Sequence, residues 1–348
     1  MNNLFVLHTQ YNLILGSGIA LSMQDDDNIL VLYAEFPVSD AILINLKMVF
    51  SEVMVVRDHF EKDKSRINEA REIRSYLKKT KHLEKLAFDR VFLSQERRFD
   101  TLLAYRCSKN KIPEFISIEE DAYYSINSSI KAPRKTWKTR MGDALRLLIC
   151  GKNPYFNCSI PFYGSNEMYS SAYLLFPNIA RLEFQSKQLC EVTPDMLYRG
   201  IEAVYSDKTA EYPQGSKYLL LFFDLMDRYR DKEKIRDLIR TAVSTAIEKG
   251  YTVLAKYHPR ETEKFSDLTG ITEIDQVIPG EKVLADLKNK SITVLGNATT
   301  VCTVAAKLKQ RVFSVAKLDH LHNYQMHEAM RKMGIFLLEN SETIQFLL

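Results

Sequence analysis

The sequence predicts an α/β protein built from two doubly wound, Rossmann-like halves, and three observations carry that prediction. Short apolar runs alternate with charged segments of helical period in both halves of the chain. Strands that alternate with helices in this way form a parallel sheet covered on both faces. A stretch rich in polar residues and turn formers, 186–216, separates the two series and reads as a linker.

The first half opens with the strand "LFVLH" (4–8), followed by a helix from Tyr11. "ILVLYAEF" (29–36) and "SEVMVV" (51–56) are the next strands, and 65–86 reads as one charged, exposed helix or a pair of them. "RVFLS" (90–94) and "EFISI" (114–118) complete this series. The second half begins with "KYLLLFF" (217–223) and a helix over 231–250. Asp231 stands near that helix start and Gly250 where a left-handed C-terminal residue belongs. Ile235, Leu238, Ile239, Ala242, Val243, Ala246 and Ile247 give the helix one apolar face. Strands at 252–257, 273–278, 292–296 and 311–316 follow, with helices from about Glu281 and Ala298. The expected domains are 1–190 and 191–348.

Composition narrows the function classes. At 348 residues, 46% hydrophobic and 26% charged, the chain has room for two ordinary globular domains. No apolar run approaches the ~18 residues of a membrane span. The N-terminus lacks the pattern of a signal peptide. The five cysteines, an odd number without CxxC spacing, read as reduced thiols, so a cytoplasmic location is expected and no zinc site. A net charge of +4 does not argue for nucleic acid. Charge does gather in 131–152, where seven cationic residues stand against one Asp beside Trp137, the only tryptophan. That segment reads as a solvated loop and helix. Its functional reading is a peripheral contact with anionic lipid.

In open parallel sheets, ligands bind beyond the carboxyl ends of the strands. After "EFISI" stand three acids, Glu119, Glu120 and Asp121, whose mutual repulsion raises the pKa of any buried member. After "TVLAKY" stands His258, its backbone stiffened by Pro259, then Arg260. After "ITVLG" stand Asn297, Thr299 and Thr300 at a helix start, where free N–H groups and hydroxyls suit a phosphate. Glu281 opens the preceding helix, placed to cap it or to meet ribose hydroxyls. The set fits group transfer from a phosphate-activated donor, with a carboxylate as base and an imidazolium at the leaving phosphate. The acidic run Asp25–Asp27 lies before a strand, on the wrong edge of the sheet for a metal motif, and reads as a solvated turn.

In this order, "IEEDAYYS", "KYHPRE" and "GNATTV" resemble the motifs of bacterial sialyltransferases of the GT-B fold, the lipooligosaccharide sialyltransferases of glycosyltransferase family 52 and the polysialyltransferases. "LHTQYNLI" and "WKTRMGDALRLLICG" resemble their N-terminal strand and their basic stretch. One departure stands out: no glycine follows the acids, which leaves the base between Glu120 and Asp121, with Glu120 preferred on its offset from "FISI". The resemblance implies two Rossmann-like domains facing each other across a cleft, an N-terminal acceptor domain and a C-terminal donor domain. It implies an inverting, metal-independent sialyltransferase with no cofactor. Sialic acid would move from CMP-sialic acid to a cell-surface glycan precursor, on a lipid carrier at the inner face of the bacterial inner membrane. Glu120 would be the base and His258 the acid or phosphate partner. Thr299 and Thr300 would hold phosphate, Glu281 the cytidine ribose, and Gln10 and Asn12 the sugar. Two alternatives stay open: another GT-B enzyme with a CMP-Kdo or nucleotide-diphosphate-sugar donor, and a non-catalytic scaffold of a polysaccharide assembly complex.

Overall fold

A computed structural model describes residues 1–58, 66–126, 151, 153–155, 163–208, 210–265, 268–318, 324–340 and 343. The basic segment 131–152 therefore lies outside the described residues, Gly151 excepted. The chain forms two compact units, Met1–Tyr205 and Ser206–Leu348.

The first unit is a seven-stranded sheet in the order β3-β2-β1-β4-β5-β6-β7. Its strands are β1 (Asn2–Leu7), β2 (Asp27–Ala34), β3 (Glu52–Asp58), β4 (Arg90–Leu93), β5 (Glu114–Ile118), β6 (Ser171–Leu174) and β7 (Gln188–Glu191). Every pairing is parallel. Leu4, Phe5, Val6 and Leu7 are all fully buried, as a central parallel strand requires when helices cover both faces. Helix α1 (Gln10–Leu21) starts in a capping box. The Thr9 hydroxyl accepts from Asn12 N–H at 3.1 Å, and Thr9 N–H donates to Asn12 Oδ1 at 3.2 Å. Helices α2 (Asp40–Leu46), α3 (Arg66–Lys79), α4 (Arg98–Cys107) and α5 (Ala122–Ile126) follow.

Helix α6 (Pro194–Tyr205) belongs to this unit, which ends at 205 rather than at the expected 190. The stretch read as a linker thus holds β7 and α6. The cause is a glycine crossing. A Cβ on Gly18 of α1 would stand 2.1 Å from the Met196 carbonyl oxygen, and one on Gly200 of α6 would stand 2.1 Å from the Ile14 carbonyl oxygen. Only glycine lets the two backbones approach this closely.

The second unit is a six-stranded parallel sheet in the order β10-β9-β8-β11-β12-β13. Its strands are β8 (Lys217–Phe222), β9 (Thr252–Lys256), β10 (Ile271–Glu273), β11 (Ser291–Gly296), β12 (Arg311–Ser314) and β13 (Ile335–Leu337). Its helices are α7 (Lys232–Glu248), α8 (Gly280–Asp286), α9 (Thr300–Lys307) and α10 (Tyr324–Lys332). Asp231 caps α7 through Lys234 N–H at 3.1 Å, and Gly250 takes φ +77° beyond its end, both as the sequence predicts. The strand expected at 273–278 is corrected. Asp275 accepts from Val277 N–H at 2.9 Å and its carbonyl from Ile278 N–H at 3.1 Å, so a local turn ends β10 at Glu273.

Candidate functional site

Both sheets add strands in the Rossmann order, and in each the direction of addition reverses once. The reversal falls between β1 and β4 in the first unit and between β8 and β11 in the second. Ligand sites of open α/β sheets lie outside the carboxyl ends of the strands at that point.

In the N-terminal unit the three consecutive acids after β5 have different fates. Glu119 is buried, 3% exposed. Its carboxylate accepts from Leu175 N–H at 3.0 Å and from the Tyr11 hydroxyl at 3.2 Å, and its carbonyl accepts from Asn12 Nδ2 at 3.2 Å. Asp121 caps α5: Oδ1 accepts from Tyr123 N–H at 2.8 Å, and its carbonyl accepts from Tyr124 and Ser125 N–H. Glu120 stands between them, partly buried and used by neither the strand nor the helix. Burial pushes it up to about 7, with Asp121 adding to the rise and Arg97 opposing it. Burial likewise raises Glu119 to about 7 and Asp121 to about 6. Asn12 is fully buried and committed to its cap and to Glu119, whereas Gln10 is exposed at the first position of α1.

The segment after β4, "SQERRFD" (94–100), was not singled out from sequence, yet it lies at the reversal point. Asp100, fully buried, accepts from His8 Nε2 at 2.9 Å and from Arg97 N–H at 3.0 Å. His8, also fully buried, closes β1, and its carbonyl accepts from Glu35 N–H at 3.0 Å. The Arg97 guanidinium forms an ion pair with Glu35. Glu96 is 3% exposed and accepts from Gly164 N–H at 2.8 Å, and burial pushes its carboxyl up to about 7. The only sequence signal for this cluster is its position after a strand.

In the C-terminal unit His258 follows β9, partly buried. Its Nδ1 accepts from Arg260 N–H at 3.2 Å, so in the neutral ring Nε2 carries the proton. Burial lowers its pKa, and the cations Arg260, Arg228 and Lys256 lower it further against the opposing pull of Asp224. With Nδ1 taken by Arg260, Nε2–H is the donor that His258 can present to a ligand. Pro259 and Arg260 are exposed. Glu261 braces the loop, accepting from the N–H groups of Met226, Thr262 and Glu263. Gln276 donates to the carbonyls of His258 at 3.1 Å and Glu261 at 3.0 Å.

Beside this loop, Lys256 is 6% exposed and donates to the Gln276 carbonyl at 3.1 Å. It lies within electrostatic reach of Glu281 in the first turn of α8, whose carboxyl is raised by burial. On the other side of the reversal, Asn297 is buried and accepts from Ala298 N–H at 2.9 Å. Thr299 is the N-cap of α9, but its hydroxyl turns to Cys302 Sγ at 3.3 Å and does not cap the helix. The first N–H groups of α9, beginning at Thr300, have no intrahelical acceptor and carry the positive end of the helix dipole. Gly296 permits the sharp entry: a Cβ there would stand 2.8 Å from Cys302 Sγ. Among the described residues, no group of three or more His, Cys, Asp or Glu could hold a metal ion, and the acidic run at 25–27 serves the fold. Asp26 accepts from the N-terminal amine at 2.9 Å and pairs with Arg90 at 2.7 Å. No described helix is long and apolar enough to cross a membrane.

No protein-family model matches the chain, and no curated protein matches it. Solved structures do. A UDP-GlcNAc 2-epimerase from Neisseria meningitidis, bound to UDP-GlcNAc, aligns with a TM-score of 0.55 at 14% identity, over 100% of this chain and 90% of that one. The UDP-GlcNAc 2-epimerase of Methanocaldococcus jannaschii gives 0.56 at 14%, over 99% and 90%. A further UDP-N-acetylglucosamine 2-epimerase gives 0.54 at 11%, over 100% and 86%. The likeness establishes the fold: two Rossmann-like domains of GT-B type. It also corrects the expectation of a glycosyltransferase, specifically a sialyltransferase, since these neighbours are sugar-nucleotide epimerases. The physical reason is that an acidic run, a His-Pro and a hydroxyl pair mark the ligand-facing strand ends of this fold. Such residues point to an edge of the sheet and leave open which ligand is bound there and which bond is made or broken.

Proposed function

We propose that the chain is an enzyme acting on a nucleotide-sugar. The C-terminal unit holds the nucleotide at the carboxyl edge of its sheet, and Glu120 in the N-terminal unit transfers a proton. The observation that carries this reading is the division of labour in the acidic run. Glu119 is locked by hydrogen bonds and Asp121 caps a helix, while Glu120 is left over with a pKa of about 7. A carboxyl poised near neutral pH can act as acid and as base in one cycle. In the other unit, the α9 N-terminus offers N–H groups to a phosphate and His258 offers Nε2–H. The fold's neighbours include an enzyme solved with UDP-GlcNAc bound, which supports this class over the scaffold reading.

Titration calorimetry with UDP, UDP-GlcNAc and CMP tests the nucleotide half of the proposal. Binding of at least one is expected, and His258→Ala should weaken it. Proton NMR of UDP-GlcNAc and of the better-bound nucleotide's sugar conjugates tests the chemistry. Glu120→Gln should keep nucleotide binding and slow turnover by about two to four orders of magnitude, the contribution of a positioned acid or base. Asp121→Asn, which keeps the cap acceptor, should cost far less. Absence of binding by all three nucleotides, or a Glu120→Gln enzyme of full activity, would overturn the proposal.

A further inference from the structure

Four loops follow the adjacent strands β2, β1, β4 and β5, and they meet through a chain of named contacts. Strand register sets them side by side, with Leu7 beside Leu32, Val6 beside Leu93 and Leu93 beside Ser117. His8 takes the Glu35 N–H on its carbonyl and gives its ring Nε2 to Asp100. Asp100 in turn takes the Arg97 N–H, which fixes where the Arg97 side chain leaves the backbone. Arg97 pairs with Glu35 and hydrogen-bonds Tyr163. Glu120 lies within electrostatic reach of both Arg97 and Glu35. The buried His8–Asp100 pair touches no solvent, so its work is to hold the parts that do.

We propose that Arg97 is the positioning residue of this edge: fixed by the His8–Asp100 pair, it is shared between the carboxylates of Glu35 and Glu120 and sets how readily Glu120 gives up its proton. This rests on the reading of Glu120 as the proton-transfer group. Among the described residues, the charged and titratable groups that act on Glu120 include Asp121 and Glu119 from its own segment, Tyr124 from α5, Arg97 after β4, Glu35 after β2 and Tyr163. Arg97 is the cation of this described set. The other neighbours are acids or phenols, which oppose ionisation of Glu120 or leave it unaided. Glu35 competes for the same guanidinium.

Carbon-13 NMR of glutamate carboxyls tests this without any substrate, with the Glu120 resonance assigned by its loss in Glu120→Gln. Arg97→Gln should move the Glu120 titration to higher pH, making its proton about tenfold harder to remove, the smaller end of the effect of one nearby opposite charge. Glu35→Gln should move it the other way, because it removes a like charge and frees Arg97 for Glu120. The second variant alters a partly exposed side chain, so it remains informative if Arg97→Gln does not fold. An unmoved Glu120 titration in Glu35→Gln, or a downward move in Arg97→Gln, overturns the proposal and leaves Arg97 a structural ion pair. If the titrations move as expected while Glu120→Gln keeps full turnover, the positioning inference stands and the assignment of Glu120 as the proton-transfer group falls.

Discussion

Glu96 offers a quantitative test of how the N-terminal unit handles buried acids. The perturbation is Glu96→Gln, which preserves an oxygen to accept the Gly164 N–H now bonded at 2.8 Å. Burial raises the Glu96 carboxyl from 4.5 to about 7. A raised folded-state pKa means that the native state holds its proton after the unfolded state has released it. Stability from this group is therefore complete below pH 4.5 and is lost as pH rises through 7. At about 1.4 kcal/mol per pH unit between the two values, the loss is about 3 kcal/mol. The variant has no proton to lose and escapes this decline. Glu119, Glu120 and Asp121 titrate in the same window in both proteins, so the comparison isolates Glu96. The assay is thermal unfolding of both proteins at pH 4.5 and pH 8. The variant should gain about 3 kcal/mol on the wild type between the two, or about 6 to 12 °C for a unit of this size. If both melting curves move in parallel with pH, Glu96 is ionised in the native state throughout. Lys187, which also lies near it, would then be its ion-pair partner, and the reasoning from burial would be refuted.

Two further outcomes follow from packing and loop bracing. Gly18→Ala places a methyl 2.1 Å from the Met196 carbonyl oxygen and should lower stability by at least the ~1–3 kcal/mol of ordinary overpacking, read by urea unfolding. Glu261→Ala leaves the Met226, Thr262 and Glu263 N–H groups without their acceptor; hydrogen exchange at those amides should quicken while the α7 core stays protected.

The fold was legible because buried parallel strands announce themselves as apolar runs. Leu4–Leu7, Leu219–Phe222 and Ile292–Leu295 need no partner to be recognised. The strands missed were short, such as "SAYL" of β6 and "IFL" of β13, where too few residues alternate or accumulate to make a signal. Helix α6 was read as linker because its reason for docking is Gly200, and a glycine in a polar stretch looks like a breaker until Gly18 faces it. The candidate residues of the C-terminal unit could be picked from sequence because His258-Pro259 and Asn297–Thr300 directly follow strong strands. The His8–Asp100 pair was not, because its two members are 92 positions apart and neither carries a local pattern. Lys256 and Glu261 were hidden for a related reason: each stands beside the chosen residue and earns its role from a backbone group elsewhere.

The acidic run shows how a fold gives three repelling neighbours different structural duties and leaves one of them without any. In an unfolded chain Glu119, Glu120 and Asp121 are equivalent neighbours. As β5 ends, successive side chains leave in different directions, so each must find its own compensation. Glu119 faces inward and is held by the Leu175 amide and the Tyr11 hydroxyl. Asp121 meets the start of α5, where the Tyr123 amide and the positive end of the helix favour a carboxylate. The amide opposes the rise that burial imposes on Asp121, to about 6. Among the described residues Glu120 receives neither kind of support, and the cation acting on it is Arg97, which also pairs with Glu35. Two of the three acids are spent on structure, and their fixed positions hold the third at the strand end with its proton exchangeable near neutral pH. Removing either neighbour's anchor would disturb Glu120 through its backbone before any charge changed, whereas altering Arg97 or Glu35 would disturb its charge and leave the backbone in place.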